Sequence, residues 1–157
     1  MAKSITHKDF FASDLFNKWK TVIKNANNSV KIFTPYLDES INKLLNTTKD
    51  DVDITIITCL ESDNLLNRGY QLEALKKAHL DGVTILNLEG LHAKVLLIDE
   101  SIISLGSQNF TNRGRKNKEA GFISKVEFND SKIIADLIDW ENSSEDVSIG
   151  LIDSLIE

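Results

Sequence analysis

Three short β-prone runs, separated by segments whose apolar residues recur at helical spacing, constrain this chain's fold more than any other feature. Ser29 to Thr34 (SVKIFT) alternates as a strand and stops at Pro35, which cannot donate to a ladder. Asp51 to Leu60 (DVDITIITCL) is the strongest strand signal in the first half, and Val83 to Leu88 is a third. Ahead of the first run, Ser13 is expected to cap a helix carrying Phe16, Trp19, Val22, Ile23 and Ala26, which ends in the Asn-rich stretch Asn25 to Asn28. Between the first two runs, Asp38 is expected to cap a short helix with Ile41, Leu44 and Leu45. Between the second and third, a helix from about Gly69 to Leu80 is expected to turn Leu72, Leu75 and Leu80 inward and close at Asp81-Gly82. This alternation predicts an α/β layered domain, a mixed, mostly parallel sheet flanked by helices. Sites in such sheets lie where strands end and loops begin.

Composition narrows the class. At 157 residues with 41% hydrophobic side chains, the chain is the size of one domain with a real core. Cys59 is the only cysteine, which excludes an intrachain disulfide and the Cys/His sets of structural zinc sites; its apolar setting reads as a buried small hydrophobe. Trp19 and Trp140 read as core residues. The opening MAKSITHKDF lacks a secretory h-region and no apolar run approaches ~20 residues, so a soluble, cytoplasmic protein without a membrane segment is expected.

The chemistry concentrates in His92 to Glu119 (HAKVLLIDESIISLGSQNFTNRGRKNKE). It holds three polar pairs at two-residue spacing: His92/Lys94, Ser107/Asn109 and Asn117/Glu119. On a strand, residues i and i+2 share a face, so strands Leu91 to Ile98, Ile102 to Ser107 and Glu119 to Val126 would aim all three pairs at one cleft. Imidazole, ammonium, hydroxyl, amide and carboxylate together suit the gripping and attack of a phosphate. Net charge is −6, yet it is unevenly spread. Residues 92–126 carry six Lys/Arg against three Asp/Glu, whereas residues 127–157 carry one against nine. With screening over ~8 Å at physiological salt, an anion at the motif feels Lys94, Arg113, Arg115, Lys116 and Lys118 before the acidic tail. Beyond the motif, a helix from Ser131 to Trp140 is expected to present Ile133, Ile134, Leu137 and Ile138 to the core, followed by a linker from Glu141 to Ser148 and a short helix from Ile149 to Ile156.

The spacing H-x-K-x4-D-x6-G-S-x-N, occupied by His92, Lys94, Asp99, Gly106, Ser107 and Asn109 and continued by Asn117 and Glu119, resembles the HKD signature of the phospholipase D superfamily. The resemblance covers residues 13 to 140, and the chain is expected to divide into a phospholipase D-like domain over 1–140 and an acidic linker with a short C-terminal helix over 141–157. It implies a phosphodiesterase that uses no metal or other cofactor, with a phosphohistidine intermediate. By this resemblance His92 is the nucleophile; Lys94 and Asn109 neutralise the non-bridging oxygens with help from Ser107. Glu119 orients the His92 ring, and Asn117 supports the phosphate-binding wall. Asp99 lies in an Asp-Glu-Ser turn, where carboxylates bind their own backbone, so it and Gly106 are read as structural.

That mechanism needs two histidines in one cleft, and the chain has one motif. His7 is near a terminus and His79 near a helix C-terminus, where it caps the dipole. The expected solution is a homodimer in which His92 and Lys94 of two chains meet across a twofold axis. For the substrate, nuclease activity on DNA or RNA is the first reading, with Arg113, Arg115 and Lys116 of the loop Phe110 to Lys118 contacting the backbone. No aromatic beyond Phe110 is evident for stacking, so duplex or backbone-only recognition is expected. A second reading is a nucleic-acid-binding or cleavage module from a longer restriction or helicase-type protein; a phospholipid phosphodiesterase ranks third, for want of an amphipathic basic helix.

Overall fold

The structure, a computed structural model, describes residues 9–61, 69–127 and 131–156. Its strands are β1 (Asp9–Phe11), β2 (Ser29–Phe33), β3 (Asp53–Thr58), β4 (Thr84–Asn87), β5 (Val95–Ile98), β6 (Ile102–Gly106), β7 (Gly121–Lys125) and β8 (Glu145–Asp146). Its helices are α1 (Phe16–Lys24), α2 (Ser40–Leu45), α3 (Gly69–Leu80), α4 (Asn112–Lys116), α5 (Ser131–Asn142) and α6 (Ile149–Ile156). The strands form one sheet in the order β1-β7-β6-β5-β2-β3-β4-β8.

The sheet is mixed and flanked by helices, as expected, but it is not mostly parallel. Only β2·β3 and β3·β4 are parallel; β2·β5, β5·β6, β6·β7, β1·β7 and β4·β8 are antiparallel. For β5·β6 the reason is connection length. A parallel crossover takes a dozen or more residues, and the three residues between β5 and β6 permit only a hairpin. Asp99 and Glu100 form that turn with φ of +53° and +52°, both in the left-handed region that matches hairpin twist, and Ser101 N–H closes it on the Ile98 carbonyl at 2.9 Å.

Both faces of the sheet are covered. One core joins Trp19 and Ile23 of α1, Ile41 and Leu44 of α2, and Leu75 and Ala78 of α3 to Ile32, Ile56 and Leu96 of the sheet. The other packs Leu137 of α5, with Ile133 and Ile134 beside it, on Phe33, Ile57, Val95 and Leu97. Burying each such large side chain contributes about 1.5–3 kcal/mol.

Several local expectations change. Ser13 does not cap α1; the Asp14 carboxylate accepts from Phe16 N–H at 3.0 Å instead. Leu80 points outward at 68% exposure, because α3 ends there and Gly82, at φ +93°, turns the chain into β4. The basic loop contains the one-and-a-half-turn helix α4, whose Thr111 hydroxyl accepts from Gly114 N–H at 2.9 Å. The segment expected as a linker holds the end of α5 and strand β8, which pairs with β4. Val147 and Ile152 complete the first core, and Lys76 pairs with Asp153 at 2.7 Å, so α6 is seated on α3.

Candidate active site

Strand polarity brings the motif together. Val95, the first residue of β5, pairs with Phe33, the last of β2, and with Leu105 near the end of β6; Leu105 in turn pairs with Phe122 near the start of β7. The start of β5, the end of β6 and the start of β7 therefore share one end of the sheet with the C-terminal ends of the parallel strands. His92 and Lys94 immediately precede β5, Ser107 and Asn109 immediately follow β6, and Asn117 and Glu119 precede β7. The three pairs were expected on strands. They lie instead on irregular segments just past the ladder ends, so their convergence comes from antiparallel register rather than from a shared pleat.

Ser107 and Glu119 are in direct contact. The Ser107 hydroxyl donates to Glu119 Oε2 at 2.5 Å and accepts from Ala120 N–H at 3.1 Å. Gly106 makes that approach possible: a Cβ there would lie 2.5 Å from the Ala120 carbonyl oxygen and 2.7 Å from Gly121 Cα. A cleft of about 870 Å³ is lined by Asn109, Arg113 and Asn117 together with Tyr36, Tyr70 and Gln71, and by none of His92, Lys94, Ser107 and Glu119. Asn109 Oδ1 is buried without a hydrogen-bond partner among the described residues. A buried orphan acceptor costs about 1–3 kcal/mol. A larger hollow, about 1090 Å³, lies at the opposite end of the sheet against Ser29, Asp53 and Thr84, and touches no motif residue.

The motif segments are held by Gln108, Asp38 and Phe110, whose anchoring of the motif was not read from the sequence. Gln108, between Ser107 and Asn109, is 1% exposed; its amide oxygen accepts from Leu15 N–H at 2.8 Å and its nitrogen donates to Asp14 at 2.8 Å. Asp38 accepts from Ser40 N–H at 2.9 Å, as the expected cap, and also from Asn112 N–H at 2.8 Å, which fastens the start of α4 to the start of α2. Phe110 is buried, its ring 4.1 Å from that of Trp19, and Trp19 Nε1–H donates to Ser104 at 2.8 Å. Phe110 therefore cannot stack on a ligand. The only signal for these anchors was their position inside the motif or at a helix start, since their partners are far away in sequence.

Asp99 binds backbone. Its carboxylate accepts from the N–H groups of Asn27, Asn28 and Ser29 at 2.7–3.2 Å, tying the β5–β6 hairpin to the entry of β2. Desolvation pushes its pKa up, but the three backbone donors, with Lys49 nearby, outweigh that and hold it below the ordinary carboxylate value. Asp14 behaves likewise: burial raises it, and Phe16 N–H, Gln108 and Arg115 bring the net shift downward.

Other predicted residues are not gathered. His92 is exposed and does not line the cleft, and Glu119 is engaged by Ser107 rather than by the His92 ring of the same chain. Arg115 is turned away from the cleft, 3.1 Å from Asp14 and stacked over Phe16 with its guanidinium carbon 4.0 Å from the ring centre. Arg113 and Lys116 are exposed. His79 sits in the last turn of α3, beside the start of β4 and so at the far end of the sheet, while His7 lies outside the described residues.

A helix-flanked mixed sheet with the motif residues at one end of its strands defines an α/β domain. The family described as "Cardiolipin synthase, PLD-like domain" matches residues 20–143. The chain belongs to this phospholipase D-like family, and phosphodiester chemistry is the activity the family supports. No curated protein matches the chain in sequence. Among solved structures it is similar to Nuc, a phospholipase D family member from Salmonella typhimurium, at 20% identity and a TM-score of 0.74, covering 90% of this chain and 99% of that one. It is also similar to NucT from Helicobacter pylori, at 21% identity and a TM-score of 0.69, with the same coverages. A third, TrmBL2, an archaeal chromatin protein with a novel mode of DNA binding, has 15% identity and a TM-score of 0.63 over 92% of this chain and 54% of that one. Among the described residues no helix is long and apolar enough to cross a membrane.

Proposed function

We propose that this chain is a metal-independent phosphodiesterase that cleaves nucleic acid through a phosphohistidine, in an active site completed by a second copy of itself. The observation that carries the reading is the convergence of His92/Lys94, Ser107/Asn109 and Asn117/Glu119 at one end of the sheet. In the first step a ring nitrogen of His92 attacks phosphorus and forms a P–N bond. The bond to the leaving oxygen breaks, and that oxygen takes a proton from His92 of the partner copy. In the second step that neutral imidazole takes a proton from water, whose oxygen displaces His92 from phosphorus. Lys94 and Asn109 neutralise charge on the non-bridging oxygens, with Ser107 as a further donor, and Glu119 fixes the ring orientation of a histidine brought to the site.

The second copy is invoked because His92 is the one histidine at this end of the sheet among the described residues. Nucleic acid is favoured over a phospholipid because Arg113 lines the cleft and the exposed Lys116 stands on the same helix. Resemblance to a DNA-binding chromatin protein supports the same choice. The membership in a family named for cardiolipin synthase favours a lipid phosphodiester as the second reading.

The test is to incubate duplex DNA, single-stranded DNA, RNA and a phospholipid with the protein in excess chelator, beside His92→Ala. Cleavage of at least one nucleic acid by the wild type alone is expected. Turnover confined to the phospholipid, a requirement for magnesium, or activity surviving in His92→Ala overturns it. Dimers of wild-type and His92→Ala chains are expected to turn over far more slowly than wild type; equal rates would show that one histidine suffices.

A further inference from the structure

We propose that Tyr36 and Tyr70 form a base-stacking platform beside the phosphate-binding wall, so that the preferred substrate is a single strand rather than a duplex. This rests on the nucleic-acid reading above and specifies its substrate class. The sequence offered only Phe110 as a stacking partner, and that ring is buried against Trp19. The cleft shared by Asn109, Asn117 and Arg113 is instead bordered by two tyrosines from elsewhere in the chain, 41% and 79% exposed.

The two rings stand on elements that are fastened together. Tyr36 follows the end of β2, and Tyr70 is the second residue of α3. Between them Gln71, 5% exposed, donates to the Pro35 carbonyl and to the Thr58 hydroxyl, each at 3.4 Å. The loop carrying one tyrosine is thereby pinned to the helix carrying the other, and a pre-ordered platform loses little freedom on binding. The cleft's 870 Å³ falls within the ~300–1,000 Å³ of ligand pockets.

The opposing charges also fit. Asp38 and Glu39 also line the cleft, and both are engaged: Asp38 by Ser40 and Asn112 N–H, Glu39 by the Asn112 side-chain amide at 2.9 Å. With both carboxylates occupied by Asn112, Arg113 is the cation of the lining left to meet a phosphate, and the tyrosine rings are left for the uncharged bases. In a duplex the base faces are already stacked on one another; in a single strand every base has a face to offer.

Steady-state cleavage is measured on three substrates of equal length: a single-stranded oligonucleotide, the same backbone made abasic, and the duplex. Wild type is expected to show a KM for the base-bearing strand at least about fivefold below those of the other two. Tyr70→Ala and Tyr36→Ala are each expected to raise KM for the base-bearing strand about fivefold or more, leaving kcat and the abasic KM unchanged. Tyr70→Phe, which keeps the ring, is expected to restore the wild-type value. Equal KM values for abasic and base-bearing strands, or alanine variants indistinguishable from wild type, would overturn the platform while leaving the nuclease reading intact. Failure to cleave any of the three, with turnover of a phospholipid, would overturn both.

Discussion

Replacing Asp99 by Asn separates structure from chemistry in the most conspicuous acidic residue of the motif. The substitution keeps the side-chain shape and the tolerance for φ of +53°, and removes the charge that three backbone N–H groups of Asn27, Asn28 and Ser29 point at. A hydrogen bond to a charged group contributes about 1.5–3 kcal/mol and a neutral one about 0.5–1.5. Water reaches this partly exposed site and replaces some of the loss, so the net cost is about 1.5 kcal/mol, a fall in Tm of roughly 3–6 °C for a chain of this length. Because the folded pKa of Asp99 lies below its unfolded value, its contribution is fully present above the unfolded value, near 4, and is lost as pH falls through the folded pKa. Urea unfolding from pH 7 down to pH 3 should therefore show a shallower loss of stability in Asp99→Asn than in wild type. Asp14 keeps the remaining slope in both. The kcat at pH 7 should stay within about twofold. Unchanged stability with a tenfold loss of kcat would refute the structural role and place Asp99 in the reaction.

Further outcomes follow from the same contacts. Gly106→Ala must push β6 from β7, since its Cβ would sit 2.5 Å from the Ala120 carbonyl oxygen; a cost of about 1–3 kcal/mol by denaturation and a fall in kcat through the displaced Ser107 and Glu119 are expected. Arg115→Ala should lower stability by about 1 kcal/mol by removing its contacts with Asp14 and Phe16, without altering the salt dependence of DNA binding. Arg113→Ala should do the reverse, reducing the slope of log affinity against log salt by about one, as read by fluorescence anisotropy. Ile152→Ala, at the fully buried position of α6, should cost about 2–4 kcal/mol in urea unfolding; a change under 0.5 would mean that the tail is detachable.

The elements legible in the sequence were those whose signal is local. The run at Ile54 to Ile57 and the helical spacing of Leu72 and Leu75 identify β3 and α3 because burial imposes period and composition directly. The motif was legible as a set of residue types at fixed spacing, but two-residue spacing does not reveal where a ladder ends, so His92 to Glu119 was expected on strands and lies beyond them. Strand and helix alternation governs only β2 to β4, and the three-residue connection makes β5·β6 a hairpin. The acidity of Glu141 to Asp146 masked β8, a two-residue pairing with β4 that has no periodicity to detect. Arg115 read as a free cation since its partner, Asp14, is 101 residues away. Tyr36 and Tyr70 went unnoticed for the same reason: only the fold sets them beside Asn109.

The central claim is that His92 attacks phosphorus, and a covalent adduct tests it most directly. The protein is mixed with a single-stranded oligonucleotide in excess chelator, quenched in alkali to protect a P–N bond, and examined by intact mass and peptide mapping. Wild type should carry the phosphate-linked fragment on the peptide containing His92, and His92→Ala should carry none. Rapid cleavage with no adduct on wild type, or an adduct that persists in His92→Ala, would contradict the account.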